Sequence, residues 1–303
     1  RKYYRFLESE TALEIRFIRY ESVAQAKEEV LQAIANVNVN VNVKLKERDD
    51  VAIFQQIEVW IEKNSMNTPI LLSGGQNAAC VLRIGDYIHR SRAANHQFIH
   101  PLLRHLAQNR FPFSPRLIGS DNEGRTILSF IKGEVPRDIV LTMEHKITAI
   151  KIMRKFHDVC ANSEFAETQE TVCHNDFAPW NIIVKDNKVV GIIDFDDIAP
   201  GNRIDDVAYF LWTFLDLGTS SNSTKTQIEQ LTILAKAYGL TSTRDLAAAL
   251  LRQQQRILIF RQQRLAKAKN EDEAVELQIP VTNIQRSIEW VESNQKLIKS
   301  TVV

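Results

Sequence analysis

The sequence predicts an α+β protein of two lobes, a small β-rich N-lobe and a larger helical C-lobe, preceded by an extra N-terminal segment. Three observations lead to this prediction. Short apolar and β-branched runs between turn residues fill residues 66–133, whereas residues 134–303 carry long helical periodicities. All ten glycines lie between Gly74 and Gly239, which places the turns with special backbone geometry in the middle of the chain. The length of 303 residues suits about two domains.

The composition argues against several classes of protein. The chain has 38 Lys and Arg against 37 Asp and Glu, a formal charge of +1, whereas a dedicated nucleic-acid binder usually has a strongly basic face. No apolar run approaches the ~18 residues of a membrane-spanning helix, and no secretory leader is expected at the start. Three cysteines without a CxxC pair favour reduced thiols and a cytoplasmic protein.

Residues 1–65 are predicted to form an N-terminal extension, and no motif in them indicates its role. Residues 36–43 alternate strictly between Asn and Val, which is the period of a β-strand, but their low complexity is equally typical of a flexible segment. Residues 50–63 place apolar side chains on one helical face, with Asp50 as a candidate N-cap, and therefore predict a helix.

Residues 66–133 are predicted to form the N-lobe. Gly85 and Asp86 indicate a hairpin turn between two strands, and residues 73–77 indicate a second turn. Strands around a single helix are typical of a small α+β unit. The strands are expected at residues 69–72, 78–83, 87–92, 116–120 and 126–131, and the helix at residues 95–109.

Residues 134–303 are predicted to form the C-lobe, which is mostly helical. Asp186 and Asn187 form the turn of a short hairpin within it. The strands of that hairpin are expected at residues 181–184 and 189–193, and the helices at residues 147–160, 226–238, 243–269 and 283–299.

The strongest chemical pattern lies around this hairpin. Asp176 is followed five residues later by Asn181 and thirteen residues after that by Asp194. Asp176 and Asn181 lie on a loop entering one strand and Asp194 lies at the end of its hairpin partner, so the three side chains can meet in one cleft. Mg²⁺ prefers such hard oxygen ligands, and phosphoryl transfer requires the metal together with a base near the attacking hydroxyl. The spacing therefore predicts Asp176 as the base and Asn181 with Asp194 as the metal ligands.

Three stretches carry a resemblance to a known family: His174-Asn175-Asp176-Phe177-Ala178-Pro179-Trp180-Asn181, Asp194-Phe195-Asp196-Asp197-Ile198-Ala199-Pro200-Gly201 and Asp206-Val207-Ala208. They resemble the aminoglycoside phosphotransferase family, the small-molecule branch of the protein-kinase-like fold. The resemblance extends into the N-lobe and covers residues 66–218. It implies a protein-kinase-like bilobal fold and a Mg²⁺-dependent enzyme that transfers the γ-phosphate of ATP or GTP to a hydroxyl of a small molecule.

The resemblance also implies a role for each matching residue. Asp176 would be the base, His174 would brace its loop, and Arg90 stands in the place of the family's phosphate-pairing lysine. Asn181 and Asp194 would hold Mg²⁺ at the nucleotide phosphates. The nucleotide would also contact the backbone of a turn, Gly74, Gly75, Gln76 and Asn77, and of a connector, Ser129, Phe130 and Ile131. The acceptor would lie between the loop of Asp176 and residues 205–290.

The sequence departs from the family pattern at several positions. Arg90 replaces the lysine, Asn175 replaces the commoner glycine, and the helix predicted at residues 95–109 has no acidic residue to pair with Arg90. Ala178, where serine/threonine kinases carry a lysine, favours a small-molecule acceptor over a protein. Two other functions stay open: a toxin-like kinase acting on protein or RNA, with residues 1–65 as its docking module, and a pseudokinase serving as a nucleotide-binding scaffold.

The remaining charged and aromatic residues have competing interpretations. The acidic cluster of residues 194–206 is compatible with an aminated acceptor and equally with a solvated surface or helix caps. The basic run of residues 256–269 is typical of a solvated helix face, the alternative being an RNA or an acidic partner. Asp206 is expected to be a helix cap or a loop anchor, His157 a packed residue, and Trp180 a core aromatic.

Overall fold

The computed structural model describes residues 3–9, 12–18, 69–72, 81–137 and 139–300. The chain divides into two compact units, Arg1–Ser65 and Met66–Val303. In the first unit, strand β1 (Tyr3–Ser9) pairs antiparallel with β2 (Ala12–Ile18). The strand and helix predicted at residues 36–43 and 50–63 lie outside the described residues, as does the turn predicted at residues 73–77.

The N-lobe of the second unit is a five-stranded antiparallel sheet in the order β3-β4-β5-β7-β6. Gly85, with φ +59°, forms the predicted turn between β4 and β5 because a two-residue hairpin loop requires a left-handed backbone. The predicted strands are confirmed with shorter bounds, except that β4 ends one residue after its predicted end and residues 78–80 of that prediction lie outside the described residues. They are β3 (Ile70–Leu71), β4 (Leu82–Ile84), β5 (Tyr87–Arg90), β6 (Leu117–Ser120) and β7 (Thr126–Ser129).

Helix α1 (His96–Gln108) is confirmed between β5 and β6. It is amphipathic, and the side chains it buries are Ile99, Leu102, Leu103 and Leu106. Pro101 lies inside the helix on its exposed side, where its ring removes one backbone hydrogen bond without ending the helix. No acidic residue lies on α1, so this helix offers no carboxylate to Arg90.

The C-lobe begins with α2 (Met143–Cys160), which starts four residues before the predicted bound. Thr142 caps it: its Oγ1 accepts from the amide of His145, whose side chain accepts from the amide of Thr142 in return. Four more helices follow, α3 (Arg203–Leu215), α4 (Thr224–Tyr238), α5 (Leu246–Leu265) and α6 (Glu271–Ser300). None of the described helices is long and apolar enough to cross a membrane.

Helix α6 corrects the sequence prediction, which started the last helix at residue 283. The helix begins twelve residues earlier and carries Pro280 in its interior. Three acidic residues, Glu271, Asp272 and Glu273, occupy its first turn, where the positive end of the helix dipole stabilises them. This charge distribution and the packing of α6 along α5 outweigh the one backbone hydrogen bond that a proline removes.

Two small antiparallel pairs support the loops of the C-lobe. Strands β9 (Ile182–Lys185) and β10 (Lys188–Ile192) form the predicted hairpin. Strands β8 (Thr171–Cys173) and β11 (Ala199–Gly201) form a second pair that the sequence did not indicate. The connector from the N-lobe lies against β9, where the amides and carbonyls of Glu134 and Val184 exchange hydrogen bonds of 3.0 and 2.9 Å.

Candidate active site

The loop that follows β8 is held in place by a buried carboxylate from α3. The amide of His174 donates to Oδ2 of Asp206 and the amide of Asn175 donates to Oδ1, both at 2.8 Å. Asn175 has φ +63°, a left-handed conformation that asparagine tolerates better than most residues, which explains why it can replace glycine here. Asp206 is therefore the loop anchor among the two roles considered for it, and Asp176 follows directly on this anchored backbone.

The carboxylate of Asp176 receives hydrogen bonds from both sides. Nδ2 of Asn181 donates to Oδ2 at 2.7 Å and to the Asp176 carbonyl at 2.9 Å. The hydroxyl of Tyr209 on α3 donates to Oδ1 at 2.6 Å, and Nε1 of Trp180 lies 3.5 Å from Oδ2. These contacts orient the carboxylate, and each oxygen keeps lone-pair capacity for a further donor such as a substrate hydroxyl.

Asn181 and Asp194 offer oxygens suited to a hard cation. Both hydrogen bonds of Asn181 use its amide nitrogen, so its side-chain oxygen is the atom available to a ligand. Oδ1 of Asp194 is buried without a hydrogen-bond partner in the described part of the chain, although the side chain is 44% exposed. A carboxylate oxygen without a hydrogen bond and an amide oxygen fit the donor set that Mg²⁺ prefers.

Arg90 on β5 reaches across to the segment after β10. Its Nη2 donates to Oδ2 of Asp196 at 2.5 Å, and its Nη1 lies 3.5 Å from Oδ1 of Asp194. Burial raises the pKa of Asp196, and the neighbouring charge of Asp194 raises this pKa further. The Arg90 guanidinium lowers it but offsets only part of the rise. Asp196 thus supplies the carboxylate that the helix after Arg90 lacks.

His174 is enclosed below the loop of Asp176. It is buried, and its Nε2 donates to the carbonyl of Ile193 at 3.1 Å, which links the loop to the segment entering Asp194. The ring packs against Phe177 and Phe195, with centroids 5.6 and 5.1 Å away. This position agrees with a bracing role, and these contacts of the ring do not involve the carboxylate of Asp176.

The remaining predicted nucleotide contacts are divided between described and undescribed residues. Gly74, Gly75, Gln76 and Asn77 lie outside the described residues. In the connector, the amide of Ser129 donates to the Arg116 carbonyl and the amide of Phe130 to the Asp86 carbonyl, at 2.9 and 2.8 Å. Ile131 is the connector residue whose amide has no backbone partner in the part of the chain that the structure describes.

Sequence reasoning missed three residues around Asp176. Trp180 was expected in the core, but it is 51% exposed beside the Asp176 carboxylate, because it lies in the short 3₁₀ turn of Pro179–Asn181 that faces the cleft. Tyr209 follows Asp206 by three residues on α3, a helical spacing that could have placed it on the same face. Arg256 on α5 bonds the Asn175 carbonyl at 2.9 Å across 81 residues, and no local signal indicates that contact.

A buried network lies behind the loop anchor. His157 receives a hydrogen bond from the Tyr238 hydroxyl at 2.7 Å and donates through Nε2 to Oδ2 of Asp206 at 3.0 Å. Possible ligand atoms of His157, Cys173 and Asp206 lie within 4.8 Å of one another. Burial raises the pKa of the Cys173 thiol far above its usual range, so it is not the thiolate that binds metals. We interpret this cluster as structural, which agrees with the packed role expected for His157.

Residues 141–251 match the model of the family described as "Phosphotransferase enzyme family" (APH). The predicted family resemblance is confirmed. The matched segment contains Asp176, Asn181, Asp194 and most of the C-lobe helices that surround them. The trifolitoxin immunity protein of Rhizobium leguminosarum bv. trifolii is 27% identical over 199 residues, which span 58% of this chain and 76% of that protein.

Two solved structures show the same fold. Spectinomycin phosphotransferase in complex with ADP and spectinomycin has a TM-score of 0.54 and 10% identity, covering 79% of this chain and 98% of that one. Choline kinase LicA from Streptococcus pneumoniae has a TM-score of 0.50 and 13% identity, covering 79% of this chain and 99% of that one. The predicted protein-kinase-like fold with a β-rich N-lobe and a helical C-lobe is therefore confirmed.

Proposed function

We propose that the protein is a Mg²⁺-dependent small-molecule kinase that transfers the γ-phosphate of ATP or GTP to a hydroxyl group. The observation that carries the proposal is the 2.7 Å hydrogen bond between Asn181 and Asp176 on a loop anchored by Asp206. It joins a carboxylate base to a candidate metal ligand within the segment that matches the phosphotransferase family. The spectinomycin phosphotransferase and choline kinase structures, which share the fold, support a small hydroxyl-bearing acceptor.

Asp176 acts as the base in this proposal. The acceptor hydroxyl donates its proton to the Asp176 carboxylate while its oxygen bonds to the γ-phosphorus and the bond to the β-phosphate oxygen breaks, so that ADP or GDP leaves. Asn181 and Tyr209 keep the carboxylate pointed at the acceptor through their hydrogen bonds. His174 keeps the loop attached to the segment that enters Asp194.

The nucleotide side of the site contains Arg90, Asn181 and Asp194. The side-chain oxygens of Asn181 and Asp194 would hold Mg²⁺, which when bound neutralises charge on the nucleotide phosphates. Arg90 would exchange part of its pairing with Asp194 and Asp196 for a phosphate oxygen, because guanidinium binds either oxyanion. The connector Ile131 amide and the turn of residues 74–77 complete the proposed nucleotide contacts. A cytoplasmic location, where these nucleotides are available, is part of the proposal.

Thermal unfolding with and without nucleotide tests the proposed nucleotide site. We expect Mg²⁺-ATP or Mg²⁺-GTP to raise the melting temperature of the wild type, because a ligand at 100 times its Kd stabilises by about 2.7 kcal/mol. The shift should vanish without Mg²⁺ and in Asp194→Asn, and persist in Asp245→Asn, a matched change at an exposed residue. The absence of a shift for either nucleotide, with folded protein, would contradict the proposal and favour a pseudokinase.

Product release tests the proposed base. Asp176→Asn should retain the nucleotide-induced shift and lose about 10²- to 10⁴-fold in acceptor-dependent release of ADP or GDP, which is the usual contribution of a general base. Mass spectrometry of the same reactions distinguishes the acceptor classes. Phosphate found on the protein itself, with none on a small molecule, would favour a kinase that acts on proteins.

A further inference from the structure

The carboxylate of Asp176 separates two differently charged sides of the cleft. Its Oδ2 faces Asn181, on the side of Asp194 and Arg90, which the proposed function assigns to the nucleotide. Its Oδ1 faces Tyr209 on α3. The guanidinium of Arg256 on α5 lies over the ring of Tyr209, 5.8 Å from its centroid. An acceptor that approaches from the side opposite the nucleotide therefore meets α3 and α5.

Arginine side chains dominate the α5 side. Arg256 donates through Nη2 to the Asn175 carbonyl at 2.9 Å and through Nε to the Gln253 side chain at 3.1 Å. Both acceptors are neutral, and within the described residues no carboxylate lies within salt-bridge distance of this guanidinium. The loop of Asp176 therefore orients the Arg256 guanidinium through a backbone carbonyl, which does not neutralise its charge.

Arg261 adds a second cation about 7.5 Å further along the axis of α5. It is half-buried, and this desolvation lowers its pKa, an effect that the nearby Arg264 reinforces. The charges of Tyr209 and Asp176 raise the pKa of Arg261, so the guanidinium lies close enough to interact electrostatically with the proposed base.

The acids that could attract an aminated acceptor are largely engaged elsewhere. Asp194 and Asp196 lie against Arg90. Asp205 binds Arg252 at 2.6 Å, and Asp206 is buried under the loop, where it accepts from the amide of His174. Asp197 is the exposed acid that remains from this cluster, and its backbone carbonyl accepts from the Asn175 side chain at 2.8 Å. The described charges on the acceptor side therefore favour an anion over a cation.

We propose that the acceptor carries an oxyanion group, a carboxylate or a phosphate, which Arg256 and Arg261 bind while its hydroxyl reaches Asp176. This inference rests on the proposed kinase function. Guanidinium binds both oxyanions through paired, charge-assisted hydrogen bonds, so either group suits the pair of arginines. An aminated acceptor would bring a like charge against both side chains and be disfavoured.

Acceptors matched in scaffold and different in charge test the inference. The full chain is incubated with Mg²⁺ and the preferred nucleotide, and with glucose, glucosamine, glucuronate or glucose 6-phosphate, then with glycerol, serinol, glycerate or glycerol phosphate. Formation of the phosphorylated acceptor is followed by mass spectrometry, and stabilisation by each compound alone is followed by thermal unfolding. We expect the anionic members to have a kcat/KM about 10- to 100-fold higher than their neutral and cationic counterparts. Where turnover is not seen, we expect the same ratio in the affinity derived from thermal stabilisation.

Three variants and a control assign the preference to α5. Arg256→Gln and Arg261→Gln should each raise KM for the anionic acceptors and reduce the ratio of anionic to neutral turnover. Arg256→Lys, which keeps the charge, should restore part of that ratio. Arg244→Gln, at an exposed arginine just before α5, should leave it unchanged.

The outcomes separate this inference from the proposed function. Preferred turnover of the cationic or neutral members, unaffected by the arginine variants, would overturn the anionic acceptor and leave the kinase proposal standing. Failure of every anionic compound to be phosphorylated or to stabilise the protein would also overturn it. Loss of the Mg²⁺-nucleotide shift in the wild type would instead remove the kinase proposal on which the inference rests.

Discussion

Asp206 is the residue on which the geometry of the candidate site depends. It is fully buried, and burial alone would raise its pKa, but the hydrogen bonds from the His157 side chain and from the amide of His174 together lower the pKa below its ordinary value of 3.8. The ionised form is therefore the one that the fold stabilises. One carboxylate thus fixes two loop amides and an imidazole at once.

Asp206→Asn should reduce the free energy of unfolding by about 3 kcal/mol at neutral pH, because it removes a carboxylate oxygen that accepts hydrogen bonds and leaves buried donors unpaired. Since the pKa is lower in the folded state, the contribution is fully present above the ordinary pKa and is lost as pH falls through the folded one. Chemical denaturation of both proteins between pH 7 and pH 3 should show the difference shrinking in acid.

Asp205→Asn is the control for this prediction. Asp205 is the neighbouring residue on α3 and pairs with the exposed Arg252, so its replacement should cost less than about 1 kcal/mol. Equal stability of Asp206→Asn and the wild type at pH 7 would show that the loop does not depend on the buried carboxylate.

The site was predictable from sequence only where its residues are close in the chain. Asp176, Asn181 and Asp194 lie within one loop and one hairpin, so their spacing could be interpreted chemically. The partner of Arg90 could not be found in this way, since Asp196 follows it by 106 residues and contacts it through the packing of two lobes. For the same reason, α5 gave only a basic run without a partner.

At the scale of elements, the turn after α3 packs closely against the backbone of α6. Gly218 has φ +83°, and a Cβ atom there would lie 2.8 Å from the Ser287 Cα and the Trp290 Cβ and 2.9 Å from the Arg286 carbonyl oxygen. All three atoms belong to α6 or its side-chain bases, which cannot move without displacing the helix. The glycine thus permits α6 to pack against the end of α3.

Gly218→Ala should lower the free energy of unfolding by about 3 kcal/mol, because a left-handed backbone and a backbone clash coincide at one position. Gly119→Ala is the matched control: no atom lies within 4 Å of its Cβ position, and its effect should stay within about 0.5 kcal/mol. Urea denaturation of the three proteins measures both changes. A Gly218→Ala protein as stable as the control would indicate that α6 shifts readily.

The elements themselves were largely predictable because local signals agree with the fold. Alternating strands, the Gly85 turn and the amphipathic α1 each follow from their own residues. Helix α6 was placed too late because Pro280 suggests a helix start, whereas packing against α5 keeps the helix continuous. The pair of β8 and β11 is too short to give a sequence pattern, since each strand has three residues.

At the scale of the whole molecule, the described core lies entirely in the second unit. Its buried apolar side chains run from Ile99 to Ile298 and join α1 of the N-lobe to the helices of the C-lobe. Every described residue of the candidate site lies in the same unit, Met66–Val303. The sequence predicts a domain boundary at residue 65, and independent folding of the parts on its two sides remains a prediction.

A protein comprising residues 66–303 should unfold in one cooperative transition and retain the Mg²⁺-nucleotide shift, because its core and candidate site are contained in that unit. Calorimetry of this protein and of the full chain, each with and without nucleotide, measures both properties. An aggregated or non-cooperative product would show that residues 1–65 contribute to the fold of the kinase-like unit. Asp194→Asn in the same shorter protein separates folding from nucleotide binding, because this variant should fold and lose the nucleotide-induced shift.

The two amides that donate to Asp206 have a consequence for hydrogen exchange. An amide exchanges its hydrogen only when its hydrogen bond opens, and the acceptor here is the buried carboxylate of Asp206 in the first turn of α3. The amides of His174 and Asn175 should therefore exchange slowly, at a rate set by the opening of the contact between α3 and the loop. The loop that carries the proposed base should therefore open together with α3 and not as an independent surface loop.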